Sequence, residues 1–188
     1  MAENKIVYGL RNVHYSVISE SGGVRSFAKP KKLPGAVNLS LSPSGEKSEF
    51  YADDIPYFVL TANAGYEGDL EIMNITDDFM TEVMGEVKDK NGVYFENADA
   101  IAKNIALLFE FQGDVKQGRN LFYNCTVARA NIENSTKQKS IEPKTLKLSI
   151  TCAPDPETKL TKAKVYSDNE AVYKTFFDDV YKYVTPTV

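Results

Sequence analysis

A reaction centre needs particular side chains brought together, so the first question is which residues of this 188-residue chain could supply one. His14 is the only histidine, which leaves a nucleophile–base arrangement built on imidazole a single possible anchor. It lies in a stretch where Val13, Tyr15 and Val17 alternate with His14, Ser16 and Ile18. In such a strand a hydrogen-bonded structural histidine is the expected role. Cys125 and Cys152, the only thiols, both fall on the apolar register of alternating stretches. That favours two buried free cysteines in a reducing compartment over a bridge, and two cysteines with one histidine do not make a zinc cage at this spacing. The carboxylate pairs Asp53-Asp54 and Asp178-Asp179 are adjacent in sequence, and neighbours do not converge on one site in a strand or a helix. Asp77-Asp78 follows Thr76 and reads as a capped helix start. Asp89-Lys90-Asn91-Gly92 opens like a calcium loop but lacks the later ligands and the closing glutamate. There is no phosphate-binding glycine loop followed by lysine. The expectation is a protein that is not an enzyme and takes no metal or cofactor.

Composition supports an ordinary folded chain. Hydrophobic residues make up 43% and charged residues 26%, and the length suits one well-buried core, so a single domain over 1–188 is expected. The start, MAENKIVYGLRNVHY, carries charge where a signal peptide would need an apolar centre, and no apolar run is long enough to span a bilayer. The sequons at Asn38, Asn74, Asn124 and Asn134 are therefore expected to be chance matches. The net charge of -4 hides a division. Residues 1–35 hold six basic and two acidic groups, residues 46–89 two basic and twelve acidic, and residues 137–164 seven basic and three acidic. Such a division disfavours tight nucleic-acid binding by the whole surface and suits copies that meet acidic face to basic face.

The elements that would position these groups are mostly strands. Residues 1–9 read as an arm and the first strand surrounds His14. Residues 20–35, with Gly22-Gly23 and Lys29-Pro30-Lys31-Lys32, read as a long mobile connection available to a neighbouring copy. Val37, Leu39 and Leu41 alternate with Asn38, Ser40 and Ser42, Pro43-Ser44-Gly45 makes a turn, and the chain returns through Phe50-Tyr51 as a hairpin. Gly65 and Gly68, in GYEGDLEI, point to a bulge or a close backbone approach. Phe79, Met80, Val83, Met84 and Val87 form a helical stripe that Gly85 can end, and Asn91-Gly92 suits a turn with positive φ at both residues. Ile105, Leu107, Phe109 and Phe111 alternate with Ala106, Leu108, Glu110 and Gln112. Leu121, Tyr123, Cys125 and Val127 are predicted to face one way, antiparallel to them. Leu146, Leu148, Ile150 and Cys152 give the cleanest alternation, and a weaker strand follows near Ala163 to Tyr166. A C-terminal helix is predicted from a Ser167–Glu170 capping box through Val184. The fold class is mainly β (α+β): antiparallel strands in a two-sheet sandwich or partly closed barrel, with a short mid-chain helix and a C-terminal helix.

Ordered blocks carry a resemblance. The runs LPGAVNLSLSPSGE, FYADDIPYF, GYEGDLEI, DKNGVYFE, ALLFEFQGD and GRNLFYNCTVAR resemble, in family order, the major tail protein of long-tailed phages of Gram-positive bacteria. That family builds the tube of a noncontractile tail. The resemblance implies a tail-tube fold and a structural virion role: host cytoplasm during assembly, then the virion tail. Subunits would close into hexameric rings stacked around the tape measure protein, with tail terminator and distal tail proteins as further partners, leaving a channel that DNA crosses without specific binding. Arg25, Lys29, Lys31 and Lys32, with Asp53 and Asp54, are then candidate inter-subunit or inter-ring contacts. Glu67, Asp69 and Glu71 are candidates for an acidic lumen or inter-ring surface. The readings from other classes are a monomeric β-sandwich binding a sugar or small ligand, and a related secretion-tube protein.

Overall fold

The computed structural model describes residues 8–52, 55–112, 116–131 and 144–185. The expected N-terminal arm lies, except for its last two residues, outside the described residues, as do Asp53, Asp54 and the sequon at Asn134.

The first strand, β1 (Leu10–Ser21), buries Val13 and Tyr15 on one face and Ser16 and Ile18 on the other. The stretch expected to be a long connection instead forms β2 (Val24–Phe27) and β3 (Lys31–Lys32), both antiparallel to β1. Gly22 and Gly23, at φ 60° and 77°, make the tight reversal into β2 that the glycine pair permits. Val24 and Ser21 close that hairpin, so ladder hydrogen bonds supply what side-chain burial does not.

β4 (Ala36–Ser44), β5 (Lys47–Ala52), β6 (Ile55–Thr61) and β7 (Gly65–Ile72) follow. The predicted turn at Pro43-Ser44-Gly45 is not a reversal. β4 pairs with β7 and β5 pairs with β6, with Ala52 opposite Ile55. Leu39 and Leu41 pack toward the core as expected, whereas Val37 is 51% exposed because a register shift between Ala36 and Asn38 turns it outward.

Helix α1 (Asp77–Glu82) starts where the sequence places it: Thr76 Oγ1 accepts a hydrogen bond from Phe79 N at 3.3 Å, with Asp77 and Asp78 in the first turn. It buries Phe79, and Val83 and Met84 follow it into the core before Gly85, at φ 81°, ends the run. β8 (Val87–Lys88) and β9 (Tyr94–Phe95) make a small hairpin. In its turn Gly92 alone takes positive φ, while the Asp89 carboxylate accepts from Asn91 N and Val93 N, each at 2.8 Å.

β10 (Ile105–Phe111), β11 (Arg119–Val127), β12 (Leu146–Ala153) and β13 (Lys162–Val165) complete the main sheet. It has nine strands on the path β2-β1-β10-β11-β12-β7-β4, with β13 on β11 and β3 on β1, and every pairing is antiparallel. The sheet does not close into a barrel: among the described residues β4 ends the path, paired with β7 alone.

One face of this sheet, with α1, holds the larger core of Tyr15, Leu70, Ile72, Phe79, Phe109, Phe122 and Cys152 with their neighbours. The other holds a smaller core of Ala106, Leu108, Leu121 and Tyr123 under Phe176 and Val180 of the C-terminal segment. Each large apolar side chain so buried is worth about 1.5–3 kcal/mol. The split corrects the prediction for β11. Leu121 and Tyr123 lie on the C-terminal side and Cys125 and Val127 in the main core, because the ladder to β10 shifts register between Ile105 and Leu107. β12 is as predicted, with Leu148, Ile150 and Cys152 buried and Lys147, Ser149 and Thr151 outward.

Helix α2 (Glu170–Thr175) is shorter than its stripe suggests. Asn169 rather than Ser167 stands at its N-cap, without a side-chain cap, and Tyr183 and Val184 lie exposed beyond the helix. Arg119 ends it. The guanidinium donates to the carbonyl of Tyr173 and lies 3.8 Å from that ring's centre and 4.5 Å from that of Phe177, anchoring the segment by side chain where helical hydrogen bonds stop.

Candidate assembly surface

The ladder joining β4 to β7 runs on into β5 and β6. Ala64 N donates to Ser44 O at 2.9 Å and Ala62 N to Glu46 O at 3.0 Å, so β5 and β6 continue the β4–β7 ladder as a two-stranded arm rooted in the main sheet. Gly45 sits at the junction, where a Cβ would stand 1.8 Å from Ala62 O. Past it, Phe50 and Phe58 oppose each other across the arm, with Ile55 and Tyr57 nearby, all four between 58% and 77% exposed. A hairpin of two strands has little core of its own. This one presents these four large side chains to solvent.

At the root of the arm the outward face is polar and acidic. The register sets three rows across β4, β7 and β12: Ser42, Glu67, Thr151; Ser40, Asp69, Ser149; Asn38, Glu71, Lys147. Glu67, Asp69 and Glu71 therefore share one face, about 6.5–7 Å apart along the strand. Ser149 Oγ donates to Asp69 Oδ1 at 2.8 Å, and Thr145 Oγ1 donates to Glu71. The opposite face of β7 buries Leu70 and Ile72.

The basic candidates are not equivalent. Arg25 is an internal residue: it is ion-paired with Asp155, their side chains 7% and 5% exposed, and Nη2 donates to Asn124 Oδ1 at 3.0 Å. Burial alone would push the Asp155 carboxyl up. Hydrogen bonds from Thr158 N (2.9 Å) and its hydroxyl (3.0 Å), the Arg25 charge and a bond from Glu157 N (3.1 Å) overcome that and hold it below the ordinary value. Lys31 pairs with Glu82 of its own chain. Lys29 and Lys32 are exposed.

His14 is tied into the fold. Its Nδ1 lies 2.7 Å from the carbonyl oxygen of Asn12, so that nitrogen donates the hydrogen bond, and the ring stacks on Phe177 at 4.6 Å. Burial, with the charges of Lys32 and Arg119, lowers its pKa against the opposing pull of the Asn12 carbonyl and Glu110. Sequence reasoning missed what lies beside it: Glu110, 1% exposed, is ion-paired with Arg11 and with Arg119 (2.9 Å) and accepts from Asn12 Nδ2 at 3.0 Å. The signal was a glutamate inside ALLFEF opposite an arginine, which strict alternation places outward.

Among the described residues no three His, Cys, Asp or Glu side chains are gathered to hold a metal ion, and no helix is long and apolar enough to cross a membrane. A cavity of about 370 Å³ is floored by Ile75, Met80, Met84 and Leu146, with Arg129 and Glu96 paired at its rim (2.7 Å). In comparison with known proteins, the chain matches no family model and no curated protein.

Proposed function

We propose that this chain is a structural subunit that polymerises into stacked rings, most simply hexameric, as the tail tube of a long-tailed phage. The observation that carries the reading is the arm: four large apolar side chains held out on a two-stranded extension, a surface a lone molecule gains nothing by exposing. β4 adds a nine-residue strand that, among the described residues, hydrogen-bonds a neighbouring strand on one side only, and a head-to-tail ring needs two unlike surfaces per subunit. The row of Glu67, Asp69 and Glu71 suits the wall of a DNA conduit, because a basic wall would retain the phosphates. The ordered sequence blocks favour the phage tube, with its tape measure, terminator and distal tail partners, over a secretion tube. Electron microscopy of the purified full-length chain tests the reading: rings or tubes are expected. A monomer at every concentration and salt level, with or without the other tail components, would reject it.

The cavity beside Met80 and Met84 favours a second reading, a monomeric module for a small, largely apolar ligand. That reading expects ligand-dependent thermal stabilisation of a monomer.

A further inference from the structure

We propose that Cys125 and Cys152 form a convertible pair, dithiol as synthesised, that closes into an intrachain disulfide across β11 and β12 when a small peroxide reaches it. Both thiols are free, 0% exposed and directly opposite in register, with their sulfurs 2.7 Å apart. The ladder decides whether opposite cysteines can bond. Ala128 N donates to Ser149 O at 2.9 Å, one step beyond the Val127–Ile150 pair, so hydrogen-bonded pairs fall at 128 with 149 and at Thr126 with Thr151. Cys125 and Cys152 therefore occupy the alternate, non-hydrogen-bonded position, where opposite Cα atoms stand about 4.5 Å apart and side chains approach most closely. That separation lies within the disulfide range of about 4.4–6.8 Å, and the sulfurs need close only to about 2.05 Å. A disulfide therefore fits this pairing without a change of register.

Hydrogen peroxide is the oxidant. One thiol, as thiolate, attacks an O–O oxygen, giving a sulfenic acid and water; the facing thiol displaces that hydroxyl as a second water, leaving the S–S bond. Two cysteine sulfurs are oxidised and one peroxide is reduced to two waters. Burial pushes the Cys125 thiol up and excludes bulky disulfides, so the pair stays reduced in a thiol-buffered compartment and reacts slowly outside it. Closure would staple the middle of the nine-stranded sheet, since β11 and β12 are inner strands.

The test treats the folded full-length chain with hydrogen peroxide, quenches by alkylation in denaturant, and maps peptides without reduction. Met73, 43% exposed, reports through its sulfoxide that oxidant was present. Once Met73 has reacted, the expected result is a Cys125–Cys152 cross-linked peptide with a loss of about 2 Da, reversed by dithiothreitol. The unfolding midpoint should rise on the order of 5–10 °C. Unmodified thiols, sulfinic or sulfonic acid at either cysteine, or a bridge to a second chain would each overturn the proposal.

Discussion

At the residue scale, two polar groups that look like surface charge in the sequence are structural. Asp155 folds a tight turn around its own carboxylate and holds Arg25 from β2. Asp155→Asn strands a buried guanidinium and is expected to cost about 3 kcal/mol in denaturant unfolding. Because its folded pKa is lowered, that contribution is present above the ordinary value of 3.8 and disappears as pH falls through the folded value. His14 acts in a higher window. Its folded pKa is also lowered, so below about 6.5 the unfolded chain takes up the proton first, and stability falls with further acidification until the folded ring titrates too. Unfolding midpoints of wild type and His14→Gln across pH 5–7.5 (roughly the range in which imidazole titrates) check this: the wild type should slope downward toward acid and the variant should be flatter.

At the element scale, backbone proximity decides more than propensity. A Cβ on Gly68 would lie 1.8 Å from Ser40 O, and one on Gly65 1.9 Å from Cys152 O, so β7 fits between β4 and β12 only because it lacks side chains there. Gly68→Ala must part β4 from β7 and is expected to cost about 3 kcal/mol or more, read as a lowered thermal midpoint. The α1 cap is a smaller, separable contribution: Thr76→Ala should cost about 1 kcal/mol and leave the sheet intact by circular dichroism.

At the scale of the whole molecule, folding and association should come apart. Replacing Tyr57 and Phe58 with serine removes exposed surface and should leave the unfolding free energy within about 0.5 kcal/mol of wild type, while sedimentation and microscopy lose any assembled species. Lysine at Glu67, Asp69 and Glu71 tests the acidic face in the same way. Unchanged assembly together with unchanged DNA delivery would remove both roles proposed for it.

Much of this architecture was legible in one dimension wherever a pattern is local. Alternation marked β1, β10 and β12, Thr76-Asp77-Asp78 marked the start of α1, and Gly65 and Gly68 marked close backbone approach, because period, capping and the missing Cβ act within a few residues. Only the tertiary structure decided which strands pair. The apparent turn at Pro43-Ser44-Gly45 became the joint between the main sheet and the arm, since β4 ladders with β7 beside β12 and leaves β5 to pair with β6. The lysine-rich connection became β2 and β3, because β1 offered an open edge. Register shifts reassigned Val37 and the two halves of β11, and a slip of one residue reverses every face beyond it. The sequence by itself therefore determined a β-rich chain, with Cys125 and Cys152 on buried registers. That the two thiols face each other, and that Ser40, Asp69 and Ser149 line up in one row across three strands, followed from contacts between residues far apart in the chain, which no local pattern encodes.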